Sequence, residues 1–75
     1  MESNTVKIVK ILGESNKGWT QAADNAVKQA NKTIKNLTGI KVLEMSANIE
    51  NGEIVEYKTT LEVAFPVLDK KKQKL

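Results

Sequence analysis

Apolar residues recur along the chain with two different periods, and this contrast separates one helix from several strands. In residues 19–37 they recur at spacings of three and four, which predicts a helix that buries one continuous face. Residues 5–12 are apolar and β-branched, which predicts a strand covered on both faces along part of its length. We expect Gly13 to end this strand and Ser15 or Asn16 to cap the helix. The apolar face of the helix consists of Trp19, Ala22, Ala23, Ala26, Val27, Ala30, Ile34 and Leu37.

Two alternating segments in the second half of the chain predict a β-hairpin. Residues 40–50 and 53–68 each place apolar side chains on one face and mixed side chains on the other. Asn51-Gly52 joins them, and an Asn-Gly pair favours the type I′ turn, which needs positive φ at both central residues. The threonine and glycine at 38–39 are expected to end the preceding helix. The predicted fold class is α+β, with β-α-β-β order and a three-stranded antiparallel sheet partly wrapped around one helix. In the first hairpin strand, the predicted apolar face is Leu43, Met45, Ala47 and Ile49, and the mixed face is Val42, Glu44, Ser46 and Asn48.

The chain is short and lacks the disulfide or metal cross-links that often stabilise small proteins. Its 75 residues make a single domain, and a domain of this size buries only about 60% of its unfolded surface. There is no cysteine and no histidine, so neither disulfides nor a typical zinc site can supplement the core. The predicted strands are long for so small a sheet and leave long unpaired edges. Self-association is therefore the expected source of further stability.

The same composition restricts the chemistry of the protein. Without histidine or cysteine, no Ser-His, Cys-His or His-metal arrangement can form, so we expect a protein that is not an enzyme. The first residues are polar, and no stretch reaches the roughly 20 apolar residues of a membrane span. The expected location is the cytoplasm, without a membrane partner.

The net charge of +3 comes from the last residues of the chain. Of 12 lysines and nine acidic residues, four lysines and one aspartate lie in residues 69–75, so residues 1–68 are neutral. We therefore divide the chain into a domain of residues 1–68 and a basic, disordered tail of residues 69–75. The lysines at 70–74 leave weak, non-specific nucleic-acid binding open. The chain has no arginine, and this absence disfavours nucleic-acid binding because arginine supplies bidentate contacts to bases and phosphates.

Four segments, taken in order, resemble a known family. They read VKIVKILGES at residues 6–15, GWTQAADNAV at 18–27, KTIKNL at 32–37, and ENGEIVEY followed by TLEVAF at 50–65. In this order and spacing the chain resembles the dodecins. The resemblance implies a hollow, spherical homododecamer with helices outside and strand faces inside. Flavin-binding members hold pairs of flavins, riboflavin or FMN, between symmetry-related subunits, and they store or sequester the cofactor.

The resemblance also implies a cofactor-binding site at Gly39, Met45, Ser46 and Lys58. Gly39 stands where flavin-binding members carry an aromatic residue, usually Trp, that stacks on the isoalloxazine ring, and glycine offers no ring. Lys58 stands where they carry a Gln that hydrogen-bonds the polar flavin edge, and lysine donates but cannot accept. Both departures resemble a branch of the family without the Trp, some members of which are linked to calcium.

Three functions fit these features. The first is a shell that sequesters a flavin or a related nucleotide, with Lys58 binding an anionic group. The alternative for Lys58 is an ion pair, either across the strands with Glu44 or with a glutamate of a neighbouring subunit. The second is a shell that binds calcium or magnesium, or is purely structural, with Glu44, Glu56 and Glu62 as candidate metal ligands at symmetry axes. The third is a nucleic-acid binder that uses the lysine tail. Trp19 is expected to pack in the core or in a subunit contact.

Overall fold

The structure is a computed structural model that describes residues 5–67, and these form three strands and one helix. Strand β1 spans Thr5–Ser15, helix α1 Trp19–Asn31, strand β2 Gly39–Glu50 and strand β3 Glu53–Val67. The sheet order is β1-β3-β2, and both pairs of neighbouring strands are antiparallel. The predicted α+β class and β-α-β-β order are therefore confirmed.

The core lies between α1 and the side of β1 and β3 that faces it. Leu61 and Val63 of β3 are 0% exposed, and Val9 and Ile11 of β1 pack beside them. Burial of one such side chain contributes about 1.5–3 kcal/mol. Strand β3 supplies the centre of the core because it has a strand on each side and the helix above it. The helix buries only small side chains, which lets its backbone approach the sheet: Ala22, Ala26 and Ala30.

Gly13 does not end β1, as the sequence suggested, but lies buried within the strand opposite Thr59. A Cβ atom at this position would stand 2.0 Å from the carbonyl oxygen of Ala22 and 2.8 Å from the Cβ of Ala26. The glycine is required because the helix backbone crosses the strand here, a use of glycine that a strand pattern alone does not distinguish from a stop.

The helix ends at Asn31 and not near Leu37, so its predicted length is wrong. Asn36 adopts a positive φ of 64°, which turns the chain back toward the sheet. The backbone N–H of Thr38 then donates to the carbonyl of Ala64, at 2.8 Å. The early end has a packing reason: Leu37 reaches the core from the loop, and further helical turns would carry the chain past the start of β2.

The expected helix caps are also wrong. Gly18 occupies the N-cap position, and no side chain caps the helix there. The Ser15 hydroxyl accepts a hydrogen bond from the backbone N–H of Lys17 at 2.9 Å instead, because β1 continues through residue 15 and holds that side chain away from the helix. Gly39, expected to help stop the helix, is the first residue of β2.

Asn51 and Gly52 form the predicted turn between β2 and β3. Both have positive φ, 52° and 80°, as a type I′ turn requires. The last residue of β1 pairs with Tyr57, so among residues 5–67 the hairpin beyond that point consists of β2 and β3 alone. It extends past the body of the protomer and gives the described chain its elongated shape, 62 × 20 × 12 Å.

Strand β2 departs from the regular alternation that its sequence suggested. Val42 pairs with Leu61 and Met45 pairs with Thr59, so three steps along β2 match two along β3. A β-bulge at Leu43 accounts for the extra residue. The predicted opposition of Val42 and Met45 is therefore wrong: a bulge reverses the alternation, and both residues lie on the helix side of the sheet.

Residues 1–4 and 68–75 lie outside the described residues, and the predicted basic tail at 69–75 lies there with them. The division into a domain and a tail thus stays a prediction. Within residues 5–67, no helix is long and apolar enough to cross a membrane.

Replacement of Gly13 by alanine tests the helix crossing. We expect Gly13→Ala to lower the free energy of unfolding by about 1–3 kcal/mol, because the new methyl group collides with the backbone of the helix at Ala22. The measurement is the urea midpoint followed by far-ultraviolet circular dichroism. Gly39→Ala is the matched control, since a Cβ there meets nothing within 4 Å. Equal midpoints for the two variants would contradict the crossing.

Candidate functional site

The face of the sheet that points away from α1, here called the open face, is not covered by any element of residues 5–67. Val9 and Ile11 pack toward the helix, so the alternate residues of β1 lie on the open face. Among them Val6, Ile8 and Leu12 are 55%, 57% and 51% exposed. The prediction that β1 is covered on both faces is wrong for residues 5–67 of a single protomer, because that part of the chain contains one covering helix.

Lys58 lies on the open face of the central strand, in the middle of a polar row. It is paired across the strands with Ser46 of β2 on one side and Glu14 of β1 on the other. Glu44 pairs in register with a threonine, and the expected Lys58–Glu44 ion pair is not formed. The ion pair found among residues 5–67 lies on the helix instead. Within residues 5–67 Lys58 forms no ion pair, although Glu14 lies in register beside it.

Of the four predicted cofactor-binding residues, one protomer brings only Ser46 and Lys58 together. Met45 pairs with Thr59 and lies on the helix side of the sheet, where it is 58% exposed at the uncovered edge. Gly39 pairs with a residue six positions along β3 from Lys58, about 20 Å away at the usual rise of a strand. A site that uses all four residues therefore needs more than one copy of the chain.

The three candidate metal ligands do not form a metal site within one protomer. Glu62 lies in register between Lys10 and Lys41. Glu56 accepts a hydrogen bond at 3.1 Å from the side-chain amide of the asparagine opposite it. Glu44 pairs with Thr60, two pairs along the sheet from Glu62 and four pairs from Glu56. Among residues 5–67, no three acidic side chains are grouped so that they could hold a metal ion.

A contact that the sequence did not reveal joins the helix to the back of the Ser46–Lys58 row. The indole Nε1–H of Trp19 donates to the carbonyl of Ser46 at 2.8 Å. The hydroxyl of Thr59, which is buried, donates to the carbonyl of Trp19 at 2.9 Å. The rings of Trp19 and Tyr57 meet edge to face, with centroids 4.8 Å apart. Together these contacts fix β2 against the helix and thereby fix the backbone of Ser46. The one signal in the sequence was a threonine at an otherwise apolar position of β3.

The helix covers β1 and β3 but leaves part of β2 uncovered, which creates a shallow groove between α1 and β2. The groove has a volume of about 300 Å³. Ile40 and Val42 of β2 remain 47% and 42% exposed beside it. The groove is apolar at its base and polar at its rim. Its lining residues are Thr20, Gln21, Ala23, Asp24, Val27 and Ile40.

The sequence and the fold both match known proteins. The sequence profile of the dodecin family matches residues 5–68. Dodecin from Thermus thermophilus is 34% identical over 59 residues, which cover 79% of this chain and 86% of that protein. Calcium dodecin from Mycobacterium tuberculosis is 30% identical over 59 residues, which cover 79% of this chain and 83% of that protein.

Solved structures give the same result. The structure of dodecin from Streptomyces coelicolor superimposes with a TM-score of 0.86 at 28% identity, over 92% of this chain and 99% of that one. The crystal structure of the M. tuberculosis calcium dodecin, described as a calcium-chelating immunodominant antigen with a novel calcium-binding site, superimposes with a TM-score of 0.75 at 31% identity. It covers 85% of this chain and 91% of that one. Family match, sequence identity and fold agree over nearly the whole chain, which belongs to the dodecin family.

Proposed function

We propose that this chain assembles as a hollow homo-oligomer of the dodecin type and binds and sequesters a small ligand on its inward-facing sheet surfaces. The observation that carries the proposal is the open face, where half-exposed Val6, Ile8 and Leu12 lie beside charged rows. Apolar side chains that line up on one uncovered face indicate a surface that is covered in the working protein. Closure of several open faces around one cavity covers them and leaves a polar, ligand-accessible interior.

The chemistry of the open face favours a ligand with a flat apolar part and an anionic part. Lys58 supplies an unengaged ammonium, and the adjacent Ser46 hydroxyl both donates and accepts. FMN, or a nucleotide of similar chemistry, satisfies both requirements. The proposed site comprises Gly39, Met45, Ser46 and Lys58, drawn from more than one copy. Because a Cβ at Gly39 meets nothing within 4 Å, the site has room for a ring at that position but provides none itself.

Binding without catalysis is the proposed role. The chain has neither histidine nor cysteine, and the charged residues of the open face are lysines and glutamates. A sequestering protein needs only shape and charge complementarity to its ligand.

Calcium is the second candidate ligand, supported by the similarity to the M. tuberculosis calcium dodecin. Glu44, Glu56 and Glu62 do not gather in one protomer, so copies related by a symmetry axis have to bring equivalent carboxylates together. Hard cations such as calcium or magnesium accept six or more oxygen ligands from such a ring. Nucleic-acid binding through residues 69–75 stays a prediction outside the described residues.

Native mass spectrometry of the purified protein tests the assembly and the ligand together. We expect a single dominant species of twelve copies that retains a small molecule or a metal ion. A monomer or dimer as the dominant species at micromolar concentration would overturn the shell, and the ligand proposals with it.

Flavin binding is tested by the quenching of flavin fluorescence on titration with the protein. We expect Gly39→Trp to bind both riboflavin and FMN about two- to tenfold more tightly, because the added ring stacks on the flavin. We expect Lys58→Gln to weaken FMN about tenfold through loss of a charge-assisted contact, and to leave riboflavin, which has no phosphate, unweakened. Lys17→Gln, an exposed loop lysine, is the control. If the wild-type protein and Gly39→Trp both leave flavin fluorescence unchanged, flavin is not the ligand.

Calcium binding is tested by the calcium-dependent rise in melting temperature and its reversal by chelator. A ligand at 100 times its dissociation constant stabilises the native state by about 2.7 kcal/mol, an easily measured shift. We expect Glu44→Gln to abolish this increment, because the variant loses one carboxylate in every copy of the ring. Glu53→Gln changes a carboxylate outside the candidate set and should retain the increment. An equal increment in both variants argues against Glu44 as a ligand.

A further inference from the structure

Residues 44–48 of β2, here called the slipped segment, pair with β3 one residue out of register with both ends of the same strand. On either side of the segment the pairs Val42–Leu61 and Ile49–Ile54 share one register, because seven steps along β2 match seven along β3. The register shifts at one end of the segment and shifts back at the other. The slip is therefore local, and the register of the two ends, here called the flank register, is open to the same residues.

The slip decides which side chain of β2 lies beside Lys58 on the open face. Ser46 is paired with Lys58 in the observed register, and Met45 lies on the helix side. The flank register would pair Met45 with Lys58 and turn Ser46 toward the helix, since a shift of one residue exchanges the two faces of a strand. The polar neighbour that the proposed ligand site needs at Ser46 therefore depends on the slip.

The backbone alone favours the flank register. The slip leaves Leu43 of β2 unpaired at one end of the segment and Val55 of β3 unpaired at the other. Each of these irregularities interrupts the ladder of hydrogen bonds between the strands, and the flank register would contain neither. Side-chain contacts that only the slipped register provides therefore have to offset this loss.

The hydrogen bond from the Trp19 indole to Ser46 holds β2 against the helix but does not by itself select between the two registers. It ends on a backbone carbonyl, and the flank register would bring the carbonyl of Met45 to the same place. The selection therefore comes from the side chains that β2 turns toward the helix.

Ala47 is the residue that distinguishes the two registers. It is paired with Tyr57, whose ring meets the Trp19 ring edge to face at a centroid distance of 4.8 Å. Ala47 is half-buried, while every other residue of β2 is exposed. The flank register would place a serine beside the two rings instead and would turn Glu44 toward Thr59, which is buried. Polar and charged side chains lose hydration in that position, so the slipped register is favoured.

We propose that the slip of residues 44–48 determines the ligand specificity of the open face, and that Ala47, packed beside the two aromatic rings, is the positioning residue that holds it. This inference rests on the proposed ligand site and states how that site acquires its polar side. With the slip, Lys58 and Ser46 together offer an ammonium and a hydroxyl to an anionic oxygen group such as phosphate. Without it, Lys58 would stand beside the thioether of Met45, which cannot donate a hydrogen bond to such a group.

Cross-strand disulfides report the register directly, because the chain contains no cysteine of its own. Ser46→Cys with Lys58→Cys forms a bridge in the slipped register, and Met45→Cys with Lys58→Cys forms one in the flank register, since a bridge needs neighbouring Cβ atoms on one face. We expect the first pair to give about tenfold more intramolecular bridge, measured by mass spectrometry of the oxidised protein. Equal yields, or an excess of the second bridge, would overturn the slip.

The role of Ala47 is tested by Ala47→Glu in both cysteine backgrounds, with Asn48→Glu as the matched control. The first variant puts a carboxylate on the helix side of the slipped register and the second puts one on the open face, so only Ala47→Glu opposes the slip. We expect the ratio of the two bridges to fall about tenfold with Ala47→Glu and to change less than about twofold with Asn48→Glu. Ala47→Ser is the milder variant for the case that Ala47→Glu does not fold, and it should lower the ratio about two- to threefold. Equal ratios in all variants would reject Ala47 as the positioning residue.

The connection to the ligand has its own measurement, at a cysteine pair outside the four proposed ligand-binding residues. Asn48→Cys with Glu56→Cys, a pair in the slipped register, is combined with Ala47→Ser. We expect saturating FMN to raise the yield of this bridge about twofold, because a ligand that prefers one state shifts the population toward it. An unchanged yield, with FMN shown to be bound by the quenching of its fluorescence, would overturn the specificity role. Absence of quenching would instead contradict the proposed ligand, and the cross-links, which need no ligand, would still decide the register.

Discussion

The close approach of helix α1 to strand β1 is the constraint on which the rest of the protomer depends. Gly13 has no side chain and therefore leaves space for the helix backbone. The buried alanines of the helix are small and allow the same close approach. At this distance the first residue of the helix, Trp19, lies over the sheet. Its carbonyl accepts a hydrogen bond from the Thr59 hydroxyl, and its indole N–H donates a hydrogen bond to the Ser46 carbonyl of β2. The same placement leaves the outer part of β2 uncovered, because one narrow helix cannot span three strands. Core, groove and open face thus follow from one contact.

Much of the fold could be predicted because its signals are local. Asn51-Gly52 requires a turn of defined type, and the helical period of the alanines indicates which side of the helix is buried. The predictions that are wrong, at Gly13 and along β2, depend on contacts between distant segments. A glycine that stops a strand and a glycine that admits a helix look the same in sequence, as Gly13 shows. The bulge at Leu43 leaves no mark on the alternating pattern, and it reverses the faces of every later residue of β2.

The candidate site could be predicted only in part, because it depends on pairing between distant segments. Lys58 was recognised by its position relative to the family, but its neighbours Glu14 and Ser46 emerge from the register of three strands. The wide separation of Gly39 from Lys58 could not be seen in a linear sequence that places both after the helix. Within one folded chain the four residues are therefore far apart, and a site that used all of them would need more than one copy.

The hydrogen bond from Trp19 to Ser46 has a practical consequence for observing the protein at work. The chain contains a single tryptophan, and its indole is bonded to the backbone of the residue whose side chain lies in the polar row with Lys58. A ligand seated on that row lies within about one sheet thickness of the indole, on the other side of a single layer of backbone. The emission of the unlabelled protein therefore originates next to the chemistry of interest. Ligand occupancy and release can both be followed from the emission of this tryptophan.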